Sequence, residues 1–169
     1  MVAVLLFAKL VVMAVPLIMQ WLVGTWFIIA SDAPIWLKGD KESPTLNYTV
    51  VEQRGNHKML DETKYTKNSK RKVIAGYDKA DNSADKAFVW RGKGALFFVT
   101  SKWRVVMQDK RAEWAVIAYS KTLFTPEGVD IMCRKPTLSE STLAAIRNGM
   151  LKDSMLARHV DKLKLIKQQ

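Results

Sequence analysis

The chain has 169 residues, which suits one domain built on a single hydrophobic core. Lys and Arg number 27 against 16 Asp and Glu, a formal net charge of +11, and this favours anionic partners: nucleic acid, acidic lipid surfaces or acidic proteins. One cysteine, Cys133, excludes an internal disulfide and with it a stapled secreted scaffold; within the apolar run GVDIMCRKP it reads as a buried, inert thiol.

The first 22 residues, MVAVLLFAKLVVMAVPLIMQWL, carry one charge, Lys9, and one helix breaker, Pro16. As a helix they would be about 33 Å long at about 1.5 Å per residue, close to the roughly 30 Å of a bilayer core. Three readings stand: a cleaved secretory signal, a single-pass anchor in which Lys9 snorkels, and a helix packed into the fold or a larger assembly. The signal is the weakest, because the start is not basic and PLIMQWLVG offers no small-x-small cleavage site.

Beyond this segment the pattern is mostly period two, with turn residues between short runs. VGTWFIIASD (23–32) reads as a strand and APIWLKGDKESP (33–44) as a long loop. TLNYTVVEQ (45–53) and HKMLDETKY (57–65) read as a hairpin, since Gly55 and Asn56 tolerate the positive φ of tight turns. The basic stretch KYTKNSKRK (64–72) reads as a connection, followed by VIAGYD (73–78), KAFVW (86–90), ALFFVT (95–100), KWRVVMQD (102–109), EWAVIAYS (113–120) and VDIMCR (129–134). These are nine runs, and either 73–78 or 86–90 is expected to lie outside the main sheet.

PTLSESTLAAIRNGM then switches to helical spacing, with Leu143, Ile146 and Met150 on one face, Thr137 and Glu140 spaced as a capping box, and Gly149 near the stop. A helix is predicted near 138–149, and the tail VDKLKLIKQQ alternates as a last edge strand would. The fold class is therefore all-β: an eight-stranded up-and-down antiparallel barrel over residues 23–169 with one C-terminal helix, preceded by an apolar N-terminal helix over 1–22. Closure removes exposed sheet edges, and such a barrel holds packed side chains or one small ligand.

The order of three features is specific. Gly24-Thr25-Trp26 opens the first strand, Asp109 ends a strand at a tight turn, and Arg134 closes the last barrel strand just before a proline and a helix. Over about residues 21–166 this resembles the lipocalin family, closest to the bacterial outer-membrane lipocalin, apolipoprotein D and temperature-induced lipocalin group. The resemblance implies that Gly24, Thr25, Trp26, Asp109 and Arg134 form the closed end of the barrel, with the Arg134 guanidinium over the Trp26 indole. Secreted relatives have a signal peptide and a floor-closing segment ahead of this motif; 23 residues precede Gly24, too few for both. The connection after the third strand is longer than in these relatives, and Asp130 stands where a large apolar residue is common.

Counting by twos from an inward Arg134, Met132 and Asp130 face the interior. Buried, Asp130 requires water at the cavity mouth or a basic partner. Tyr48, Met59, Phe88, Trp90, Trp103, Met107, Asp130 and Met132 are the candidate ligand-lining residues, though such residues also serve as plain core. Strand direction places Lys38, Lys41, Lys64, Lys67, Lys70, Arg71 and Lys72 at the mouth, either to capture an anionic amphiphile or to sit as a solvated face. No His/Cys cluster has metal spacing, no Gly-rich loop precedes a helix, and nothing orients a catalytic triad. Nucleic acid is allowed by charge but no motif supports it. The expectation is a non-enzymatic, membrane-associated barrel binding a small hydrophobic or amphipathic, anionic ligand such as a lipid, fatty acid or pigment. The alternative is an accessory subunit of a large membrane complex, with the mitochondrial inner membrane, the periplasm and outer membrane, and the secretory route all open as locations.

Overall fold

The structure is a computed structural model, and it describes residues 15–53 and 56–168. Eight strands follow one another around a closed antiparallel sheet: β1 (Gly24–Ser31), β2 (Glu42–Gln53), β3 (Asn56–Lys67), β4 (Lys70–Asp81), β5 (Ala87–Gly92), β6 (Thr100–Gln108), β7 (Trp114–Tyr119) and β8 (Gly128–Cys133). Each pairs with its neighbour in sequence, and β1 pairs with both β2 and β8, which closes the barrel. A two-residue β9 (Lys164–Leu165) hydrogen-bonds to the upper part of β1. The connections after odd-numbered strands lie at one end, here the mouth, and those after even-numbered strands at the other.

Alternation within each strand sorts the apolar residues into two cores. The inward set includes Trp26, Ile28, Tyr48, Met59, Phe88 and Trp103. The outward set, Val116, Val129 and Ile131 among it, is covered by Ile146 and Met150 of α3 (Glu140–Met150) and Leu156 and Val160 of α4 (Ser154–Val160). In β8 every residue is buried because one face looks into the barrel and the other lies under these helices. The α3 cap is Ser139, whose hydroxyl accepts from the Thr142 amide at 3.2 Å, in place of the expected Thr137. Asp153 caps α4, a second helix that the sequence reading did not separate from the tail.

The barrel floor is closed by α1 (Leu17–Leu22), which begins after Pro16. Its Met19 and Leu22 are 1% and 0% exposed among the inward core residues, so this part of the apolar segment is a plug. No helix of the described residues is long and apolar enough to cross a membrane; residues 1–14 of the expected span lie outside the described residues.

Three expectations about runs are corrected. Both 73–78 and 86–90 are barrel strands, within β4 and β5. The surplus run is 95–98: Gly94 adopts φ 62° and starts a single 3-10 turn, so Phe97 and Phe98 stand out on a loop. The stretch 64–72 is no long connection, because Asn68 and Ser69 take φ of 49° and 57° and form a tight two-residue turn. Lys64 pairs with Val73 and Lys67 with Lys70, so the basic residues lie on a continuous hairpin. The loop 33–44 contains a four-residue helix, α2 (Pro34–Leu37), whose Trp36 is buried. The β2–β3 hairpin pairs out to Gln53 opposite Asn56, while Arg54 and Gly55 lie outside the described residues.

Candidate ligand-binding site

Gly24 has φ +102°, a region that favours glycine, and a Cβ there would meet the Arg134 guanidinium at 3.0 Å. That close approach lets Arg134 reach under the first strand. Its guanidinium lies 3.7 Å from the Trp26 ring centroid, and its nitrogens donate to the carbonyls of Thr25 at 3.2 Å and Trp21 at 2.9 Å. The Trp26 indole N–H donates to Leu22 at 2.7 Å. Asp109 organises the β6–β7 turn by accepting from the amides of Arg111, Glu113 and Trp114. Thr25 points outward and donates to Asn47 Oδ1 at 2.9 Å.

Above this floor, Tyr48, Met59, Phe88, Trp103 and Met132 converge inside the barrel. Phe88 stacks on Trp103 with centroids 4.6 Å apart, and Tyr48 stacks on the same indole at 5.8 Å. Met59, Phe88 and Met132 are 0% exposed, so the barrel is tightly packed around them just above the floor. Trp90 is half-buried and lies across Gly76, where any Cβ would collide with its indole. Met107 does not face inward. A bulge between Val105 and Met107 shifts the register, so Met107 pairs with Val116 and packs in the outer core against Gly149 of α3.

The interior also carries carboxyls. Asp130 is 5% exposed and faces neither water nor a base: it accepts from Ser31 Oγ at 2.5 Å. Burial pushes it up to about 7; the Ser31 hydroxyl opposes this, the Asp32 charge adds to it, and the Tyr119 hydroxyl opposes it. Asp78 accepts from the Trp103 indole N–H at 2.7 Å while its other oxygen has no partner. Burial pushes Asp78 up to about 7 as well, against the Trp103 hydrogen bond. Asp61 stands opposite Tyr48 on the neighbouring strand, and its Oδ1 is buried without a partner. Burial first, then the charges of Asp78 and Glu62, hold it well above the usual carboxylate range. Burial thus favours the protonated form of these carboxyls, which is both donor and acceptor, within an apolar wall. The sequence reading missed Asp61 and Asp78, although the count by twos that turned Asp130 inward also turns Asp61 inward from Met59.

At the mouth, Asp40 ties Lys41 (3.1 Å) and Lys67 (2.7 Å) together, and those two lysines hold its carboxyl down at about 2. Lys64 pairs with Glu62 at 3.0 Å. Lys38, Lys70, Arg71 and Lys72 are exposed. The predicted basic residues thus share one end, part of them neutralised. Also unforeseen is a buried pair, His159 Nδ1 and Asp32 Oδ2 at 2.6 Å, which ties α4 to the end of β1. An outer groove of about 310 Å³ runs beside α4, lined by Arg104, Ala118, Met155 and Arg158. Among the described residues no three His, Cys, Asp or Glu side chains come together as a metal site.

Similar folds are known. Lobster apocrustacyanin A1 superposes with a TM-score of 0.65 at 9% identity, over 89% of this chain and 79% of that one. Insecticyanin from the tobacco hornworm Manduca sexta gives 0.65 at 14% identity, over 89% and 80%. The possum milk whey lipocalin trichosurin, with bound 4-ethylphenol, gives 0.53 at 11% identity, over 82% and 92%. No curated protein matches the chain in sequence. The lipocalin-like domain family matches residues 19–168, nearly the whole chain. Lipocalin barrels in general bind small hydrophobic ligands without catalysis, and by this match and by its barrel the chain belongs to the lipocalin family.

Proposed function

We propose that the protein is a non-catalytic, membrane-associated carrier of one small hydrophobic or amphipathic ligand. The observation that carries this is the inward face above the floor, where half-buried Tyr65, Trp90 and Tyr119 pack against an apolar core that also encloses the carboxyls of Asp61, Asp78 and Asp130, beneath a lysine-rich mouth. Apolar walls with a few polar groups fixed among them are the composition of small-molecule sites. The 4-ethylphenol bound in trichosurin supports a ligand of that size. An anionic head at Lys38, Lys70 and Arg71, with the apolar body inside, matches both regions.

The packed lower half favours a second reading, a barrel that serves as a docking module of a membrane complex with its interior filled by its own side chains. Titration of the purified chain with a fluorescent fatty acid and with 4-alkylphenols separates the two. The carrier reading expects saturable binding with quenching of tryptophan emission, lost on Trp90→Ala. An absence of binding for both probes, with no lipid in the mass spectrum of the extracted protein, defeats the carrier reading in favour of the module.

A further inference from the structure

The mouth has two apolar projections that no pairing in the fold explains. The loop 93–99 between β5 and β6 holds Phe97 and Phe98, 67% and 52% exposed, and the loop 120–127 between β7 and β8 holds Leu123 and Phe124, 78% and 66% exposed. The three rings form one cluster, with centroids 5.7 Å apart for Phe97 and Phe98 and 6.4 Å for Phe98 and Phe124. The loops that carry them are held in place. Thr122 Oγ1 accepts from the amides of Phe124 at 3.1 Å and Thr125 at 3.0 Å. Arg91 donates to the Phe97 carbonyl at 3.2 Å, and Gly92 to Val99 at 3.1 Å. The side chains are therefore presented to solvent by ordered backbone, at the full hydrophobic cost of exposure.

Cations surround this cluster. Arg91, Lys93 and Lys121 are exposed beside it, and the β3–β4 hairpin brings Lys70, Arg71 and Lys72 to the same end together with Val73, 52% exposed. Acids at this end are engaged: Asp32 with His159, Asp40 with Lys41 and Lys67, and Glu127 with Arg158 at 3.0 Å. Glu42 is the exposed acid nearby. Aromatic tips between basic residues suit the boundary between headgroups and acyl chains of an anionic bilayer, where rings enter the apolar layer and lysines meet phosphates. A small apolar cluster ringed by cations, with most of the acids at this end already paired, favours an anionic bilayer over a protein face.

We infer that the mouth docks on an anionic membrane surface through Phe97, Phe98, Leu123 and Phe124, with the barrel opening toward the lipid. This rests on the membrane part of the reading above and is independent of whether the interior holds a ligand. The full chain is tested by co-sedimentation with phosphatidylcholine vesicles, with and without phosphatidylglycerol. Binding is expected with the anionic lipid, and the triple variant Phe97→Ser, Phe98→Ser, Phe124→Ser is expected to lose about tenfold or more in affinity. The variant keeps its fatty-acid titration if the carrier reading holds, so the two proposals fail separately. In a second measurement an environment-sensitive dye is placed at Leu123→Cys or, at the opposite end, Lys110→Cys, the native Cys133 being buried. A blue shift with anionic vesicles is expected at position 123 and none at 110. The inference is overturned by equal binding of the triple variant, by a shift at 110 alone, or by wild-type self-association through these loops without vesicle binding.

Discussion

Trp26 is enclosed by Arg134 on one face, by Trp21 with centroids 5.0 Å apart, and by α1 through its indole N–H. Truncation to alanine removes the ring around which the floor closes, so Trp26→Ala is expected to destabilise the barrel by about 3–5 kcal/mol in a urea titration. A loss below about 1 kcal/mol would remove Trp26 from the core. The interior carboxyls set a pH dependence of definite sign. Asp78 and Asp130 sit near 7 in the folded chain against about 4 when unfolded. Between those values the folded state binds more protons, so stability falls as pH rises through this window and levels off above it. Thermal melts should therefore show a more stable barrel near pH ~5 than near pH ~8, and Asp78→Asn with Asp130→Asn should flatten the difference. An unchanged slope in the double variant would show that other groups carry it. The residues of the closed end were legible because their spacing is a pattern. Asp61 and Asp78 were not, since an aspartate in an alternating strand reads as an outward position until its neighbours fix the phase.

Helix α4 shows how an element can rest on one pair. Asp32 receives the Val129 amide on one oxygen at 2.8 Å and His159 on the other, so β1, β8 and α4 meet at a single buried carboxylate. His159→Ala should raise amide exchange across Ser154–Val160, measured by mass spectrometry, while the exchange of β2–β4 stays as in the parent chain. Unaltered exchange in α4 would show that packing of Leu156 and Val160 alone holds it. Most strands were legible from period two, and the exceptions have local causes. Trp103, Val105 and Met107 keep the period in sequence, but the bulge inserts a residue into the register and turns Met107 to the outer face. ALFFVT has strand composition, yet at the mouth its phenylalanines have no opposing wall to pack on. The basic hairpin reads as a loop by charge, although its ladder is made by backbone groups that are indifferent to side-chain charge.

At the scale of the molecule, the charge of +11 is unevenly layered. Cations gather at the mouth, and the buried Asp61, Asp78 and Asp130 lie inside the wall. Length and alternation made the closed barrel legible, whereas this layering depends on which face each strand turns inward and emerges only in three dimensions. On the carrier reading proposed above, its consequence is a filter in two stages: a weak acid drawn to the lysines as its anion would meet, further inward, carboxyls whose ionised forms repel it. That proposal therefore expects uptake of the neutral acid, with the proton as part of the cargo, and weaker retention as alkalinity turns guest and wall into like charges within one low-dielectric space.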